Sequence, residues 1–104
     1  MQNVKKIEII TNSLELQKVL KVLDHAGVYG YTIIEDVIGK GHRGKAIDDL
    51  EGHALTNGYI MTVCSEEQEH QVVEAIRPIL KKYGGVCIVS DAKSIGCGSF
   101  QKTV

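Results

Sequence analysis

The sequence predicts an α+β domain in which two helices pack on a four-stranded antiparallel sheet. Three observations carry that prediction. Hydrophobic spacing along the chain switches in the order two, 3.6, two, two, 3.6, two, which reads strand, helix, strand, strand, helix, strand. Each helical stretch opens on a side-chain cap and closes on glycine. A length of 104 residues allows one core and one domain, 1–104.

Each element follows from its residues. Lys6, Ile7, Glu8 and Ile9 alternate polar and apolar between Val4 and Ile10, a first strand. Asn12 with Glu15 three positions on resembles a capping box, and Leu16, Val19, Leu20 and Leu23 follow at helical spacing, so a helix is expected from about Leu14 to Ala26, closed by Gly27. Tyr31 to Ile38 and Tyr59 to Cys64 are rich in β-branched and aromatic residues and read as the second and third strands. Ser65 and Gln68 form another capping box ahead of Val72, Ile76, Ile79 and Leu80, a second helix that ends before Gly84 and Gly85. Pro78 lies inside this helix, where its missing N–H predicts a kink or irregularity. Val86 to Ser90 is the last strand.

This order is the ferredoxin-like βαββαβ pattern, whose helices cover one sheet face. Yet Ile33 with Ile34, Val37 with Ile38, and Val86 through Val89 place apolar residues on both faces. The second face therefore wants another subunit, and a cyclic homo-oligomer with its sheets turned inward would leave clefts at the sheet edges. The connection from Gly39 to Asn57 lacks an apolar period, holds Gly39, Gly41, Gly44 and Gly52, and is far longer than a hairpin needs. Such loops are usually functional; a helical turn around Ala46 to Glu51 and mobility without ligand are expected of it.

Composition excludes several function classes. The formal charge is −1 and no like-charged block is long enough to track a nucleic-acid backbone. There is no signal-type apolar stretch and no run of about 18 apolar residues, so a cytoplasmic protein without membrane insertion is expected. Cys64, Cys87 and Cys97 are an odd set without C-x-x-C spacing, which argues against a disulfide framework or a zinc site. Cys64 and Cys87 lie in apolar strands as small core hydrophobes, whereas Cys97 between Gly96 and Gly98 reads as an exposed thiol open to oxidation. No residue set nominates a nucleophile with its base and orienting group, so no enzyme and no catalytic residue is expected.

The segment from Gly39 to Lys45 is the strongest ligand signal. Gly39 and Gly41 allow close backbone approach while Lys40, His42 and Arg43 can surround anionic oxygens. Gly39-x-x-x-x-Gly44-Lys45 also fits the spacing of a phosphate loop, but Ala46 stands where a Ser or Thr must hold magnesium, and no parallel α/β context surrounds it. His42 and His53 with Asp48, Asp49 and Glu51 offer a looser metal-binding alternative.

Gly27-Val28-Tyr29-Gly30-Tyr31-Thr32 followed by Gly39-Lys40-Gly41-His42-Arg43 resembles the PII signalling proteins, more particularly the PII-like branch associated with bicarbonate transport and carboxysomes. The resemblance spans nearly the whole chain. It implies a homotrimer with nucleotide sites in the clefts between subunits, and a T-loop over 39–57 that reports the bound nucleotide to a partner; 92–104 is the C-terminal tail. By position Thr32 would contact the base, Gly39, Lys40, Gly41, His42 and Arg43 the ribose and phosphates, and Val63 and Cys64 the adenine pocket, with Gly84, Gly85 and Val86 closing the cleft.

Departures from the pattern refine the expectation. The interval from Thr32 to Gly39 is about one residue longer than in founding PII proteins, the Tyr83-Gly84-Gly85 segment lacks the family's phosphate-binding lysine, and the tail after Asp91 has Lys93 but no arginine. Each missing charge-assisted bond removes about 1.5–3 kcal/mol from anion binding, so AMP or ADP is expected over ATP. No tyrosine lies between Gly39 and Asn57, which argues against the nucleotidylation seen in founding members, and Cys97 has no second tail cysteine with which to form a redox clasp. Related proteins suggest bicarbonate as co-ligand and a bicarbonate or other anion transporter as partner; no metal and no further cofactor is implied. Two rivals share the fold: a trimeric metal-binding protein similar to the copper-tolerance family, using His42 and His53, and a small acylphosphatase-like hydrolase, whose phosphate cradle is not evident at Thr11-Asn12-Ser13.

Overall fold

The fold is that of a computed structural model, which describes residues 1–41, 44–45 and 56–96. Strand β1 (Gln2–Asn12) leads through a single 3-10 turn (Ser13–Glu15) into α1 (Leu16–Ala26), β2 (Thr32–Val37), a short hairpin of β3 (Lys40–Gly41) and β4 (Gly44–Lys45), β5 (Asn57–Cys64), α2 (Glu66–Tyr83) and β6 (Val86–Ser94). The main sheet has the order β2-β5-β1-β6 with every neighbouring pair antiparallel, the expected ferredoxin-like βαββαβ arrangement.

Strand alternation decides where the core lies. Ile7 and Ile9 of β1 and Ile60 and Cys64 of β5 point to one face, where they meet Leu16, Val19 and Leu23 of α1 and Val72 and Ile76 of α2. Full burial of each large aliphatic contributes about 1.5–3 kcal/mol. The opposite face carries Ile34, Tyr59, Ile10 and Val86 in one cross-strand row and Thr32, Met61, Glu8 and Ile88 in the next. Among the described residues no helix covers this second face: Ile34 is 51% exposed and Ile88 49%.

The helix ends follow local chemistry. At α1 the Asn12 side chain accepts from the N–H of Leu14, two residues on, so the first turn closes as 3-10 and the α-helix begins at Leu16 rather than Leu14. Gly27 ends α1 at φ 76°, donating to the carbonyls of Asp24 and Leu23. The Ser65/Gln68 capping box of α2 is complete in both directions. The α2 helix is continuous from Glu66 through Pro78 to Tyr83, with Val72 and Ile76 buried in the core. Strand β6 outruns the expected Ser90 and reaches Ser94, because its last residues find partners in Gln2, Asn3 and Val4.

Two features lie where the long loop leaves and rejoins the sheet. Ile34 pairs with Tyr59 but Val37 with Asn57, so Glu35 and Asp36 together face Gly58 in a β-bulge that takes up one residue of the Thr32–Gly39 interval. Beyond it, Lys40 pairs with Lys45 and Gly41 with Gly44, so the cationic glycine segment is a tight hairpin. Its centre, His42 and Arg43, lies outside the described residues, as do the expected turn at Ala46 to Glu51, His53 and Cys97.

Gly85 has φ 121°, and a β-carbon there would come within 2.5 Å of the Ile10 carbonyl oxygen. Gly85→Ala is expected to lower stability by about 1–3 kcal/mol, combining left-handed backbone strain with overpacking. Urea unfolding with a midpoint equal to the wild type's would contradict this.

Candidate ligand site

The C-terminal end of β1 and β2 and the start of β5 and β6 meet at one end of the uncovered face. Here Ile10, Ile34, Val37, Ile38, Gly39, Asn57 and Tyr59 line a cavity of about 410 Å³. Its walls are aliphatic and aromatic, with the Asn57 amide and Tyr59 hydroxyl as polar features, a composition suited to one face of a flat heterocycle. Val86 lies in the same row beside Ile10, 43% exposed.

The segment that brings Val86 there is held from three sides. The Thr11 hydroxyl, buried, donates to the Gly84 carbonyl at 3.0 Å, and the Gly84 N–H donates to Leu80 as α2 closes. Tyr83, the last residue of α2, accepts from the Lys18 ammonium at 2.8 Å, and Lys18 also reaches Glu15 at 2.9 Å. The Lys18 bond, with help from Lys82, lowers the Tyr83 pKa below the ordinary phenol value.

On the same sheet face the Tyr59 hydroxyl donates to Glu8 at 2.6 Å, and Lys6 lies 3.8 Å from the other Glu8 oxygen. The bond to the Glu8 carboxylate raises the Tyr59 pKa, so the ring stays neutral and fixed at the cavity's edge.

The residues expected at the site divide into two groups. Gly39, Gly84, Gly85 and Val86 gather at the cavity end, and Lys40 and Gly41 follow Gly39 directly into the hairpin. Thr32 lies one row away, opposite Met61. Val63 is opposite Lys6, whereas Val86 is opposite Ile10. Four residues of strand separate those positions, about 13 Å. The Val63 side chain shares the uncovered face, but the Cys64 side chain is buried in the core, leaving only its backbone for contact. Arg43 and His42 fall outside the described residues.

Sequence reasoning missed Ile10, Ile34, Val37, Ile38, Asn57 and Tyr59 as cavity lining. The signal was present as the double-parity apolar residues, which marked the second face without locating a pocket on it. Another cavity, of about 510 Å³, lies at the far end among Asn3, Val4, Lys5, Glu66, Asp91, Ala92 and Lys93. Its charges are partly spent, since Lys5 pairs with Asp91. Among the described residues no three His, Cys, Asp or Glu side chains come together as a metal site, and no helix is long and apolar enough to cross a membrane.

The sequence profile of the family described as nitrogen regulatory protein P-II matches residues 4–98. Among solved structures, the PII-like protein CPII from Thiomonas intermedia K12, bound to ADP, AMP and bicarbonate, is 30% identical, with 88% of each chain covered and a TM-score of 0.81. CPII bound to ADP and bicarbonate gives 32% identity over 88% of each chain, with a TM-score of 0.77. The B. subtilis GlnK–ATP complex, at 22% identity, 88% of this chain, 84% of that one and a TM-score of 0.63, shares the fold. No curated protein matches.

Burial in the core, reinforced by the charge of Glu69, pushes the Cys64 thiol up to about 11. Cys87 is also raised, chiefly by burial. At pH 8 both are expected to resist iodoacetamide in the native protein and to react fully in urea. Peptide mass mapping showing rapid native labelling of Cys64 would contradict its placement.

Proposed function

The chain belongs to the nitrogen regulatory protein P-II family, and from that membership we propose that it is a non-enzymatic sensor of adenine nucleotides acting at clefts between protomers of a homotrimer. The observation that carries this reading is the split of the expected site across the uncovered sheet face. One protomer presents Ile10, Gly39, the paired residues 40–41 and 44–45, and Gly84 to Val86 at one end, and Thr32 and Val63 farther along. When the apolar faces of neighbours meet, the first group of one protomer closes against the second group of the next.

The cavity takes the nucleoside and the glycine hairpin takes the phosphates through its N–H groups, Lys40 and Arg43. Val86 occupies the position beside Gly85 with an aliphatic side chain, which offers nothing to a terminal phosphate. ADP and AMP are therefore favoured over ATP. That CPII binds ADP, AMP and bicarbonate supports both the nucleotide class and bicarbonate as co-ligand at the cationic hairpin.

Ligand contacts made better by one arrangement of the 39–57 loop shift its population, and the loop then admits or refuses a partner, a bicarbonate or other anion transporter, in the cytoplasm.

Titration calorimetry is expected to show ADP and AMP binding more tightly than ATP, with Arg43→Ala weakening ADP by about tenfold, the loss of a charge-assisted bond. Light scattering is expected to give the mass of three chains. A monomer that ignores all three nucleotides would overturn the reading, and unchanged ADP affinity in Arg43→Ala would remove Arg43 from the phosphate site.

A further inference from the structure

The bulge in β2 does more than absorb a residue. Strict alternation from Ile34, which lies on the uncovered face, would send Val37 to the helix side. The extra residue reverses that phase. Val37 pairs instead with Asn57, on the same face as Tyr59, and both line the cavity with Gly39.

Asp36 holds the reversal. It is the one non-glycine among the described residues with positive φ, 60°, a region that aspartate tolerates better than most residues. Its carboxylate accepts from the Thr56 hydroxyl at 3.2 Å, and that hydroxyl lies 3.1 Å from the hydroxyl of Ser13. The Ser13 N–H donates to the Thr56 carbonyl at 2.9 Å, and Thr56 is 5% exposed. The bulge is thus tied to the residue just ahead of Asn57 and, through it, to the turn that starts α1. On the other strand Gly58 faces the bulge, and a β-carbon there would come within 2.6 Å of Leu16. A one-residue slip of β5 would bring the side chain of Asn57 or Tyr59 against Leu16, which disfavours the other register.

We propose that Asp36 is a positioning residue for the adenosine-phosphate site: its left-handed backbone and its bond to Thr56 lock the phase shift that places Val37 and Gly39 on the cavity. The inference rests on the nucleotide reading above and assigns Asp36 no contact with the ligand. Because Gly39 opens the phosphate hairpin while the nucleoside wall also draws on β1 and β5, loosening the bulge weakens phosphate contacts most.

The test measures ADP and AMP affinity by calorimetry for Asp36→Asn, Asp36→Gly and Asp36→Ala, with thermal melting as a control. Asparagine keeps both the backbone preference and an accepting oxygen, and is expected to bind within about twofold of the wild type. Alanine loses both features and is expected to weaken ADP about tenfold, and AMP less. Glycine keeps the backbone and loses the bond, giving an intermediate loss; it carries the test if the alanine variant does not fold. Alanine and glycine variants that bind ADP as the wild type does, or an equal loss for ADP and AMP, would overturn the inference. A wild type that binds neither nucleotide would instead overturn the functional reading.

Discussion

Two helices can cover one face of a four-stranded sheet, and in this chain that limit shapes everything else. Alternation along β1 gives the helices Ile7 and Ile9 and gives the other face Lys6, Glu8 and Ile10. The aliphatic side chains of Ile34, Val86 and Ile88 are left about half exposed. Covering the rest of each would contribute about 1 kcal/mol. Among the described residues nothing recovers that energy, since both helices are already committed to the other face. The cavity of about 410 Å³ lies on this face, so whatever covers the face also closes over the cavity.

The uncovered face is not uniformly apolar, and its polar centre sets conditions on what may cover it. Glu8 is engaged by Tyr59 and approached by Lys6, and all three sit among Ile10, Met61 and Ile88. A partner that removes water from this group strengthens its attractions and also raises the cost of any misfit. Contact by greasy collapse alone would strand a carboxylate, and an aligned copy that leaves the trio intact would not.

Much of this was legible in the sequence because the signals were local. The caps at Gly27 and Ser65 are single-residue chemistry, and both form as read. Asn12 was seen as a cap, but whether its oxygen reaches two residues on or three depends on backbone angles that the spacing with Glu15 does not encode. Pro78 costs one backbone bond, and α2 nonetheless runs on as helix to Tyr83. The cationic glycine segment pointed to a turn, and the pairing of Lys40 with Lys45 gives it the form of a hairpin. The second face was legible but the cavity's lining was not, because it depends on which strands become neighbours and on a bulge that moves Val37 across the sheet.

Gln68 shows how far one side chain can reach. Its carbonyl oxygen accepts from the Ser65 N–H and its amide nitrogen donates to the Gly27 carbonyl at 2.9 Å. The start of α2 and the finish of α1 therefore share a single carboxamide, like a bolt through two plates. A carboxylate in place of that amide would keep the first grip and turn the second into repulsion, so the link between the two helices rests on a nitrogen that glutamate lacks.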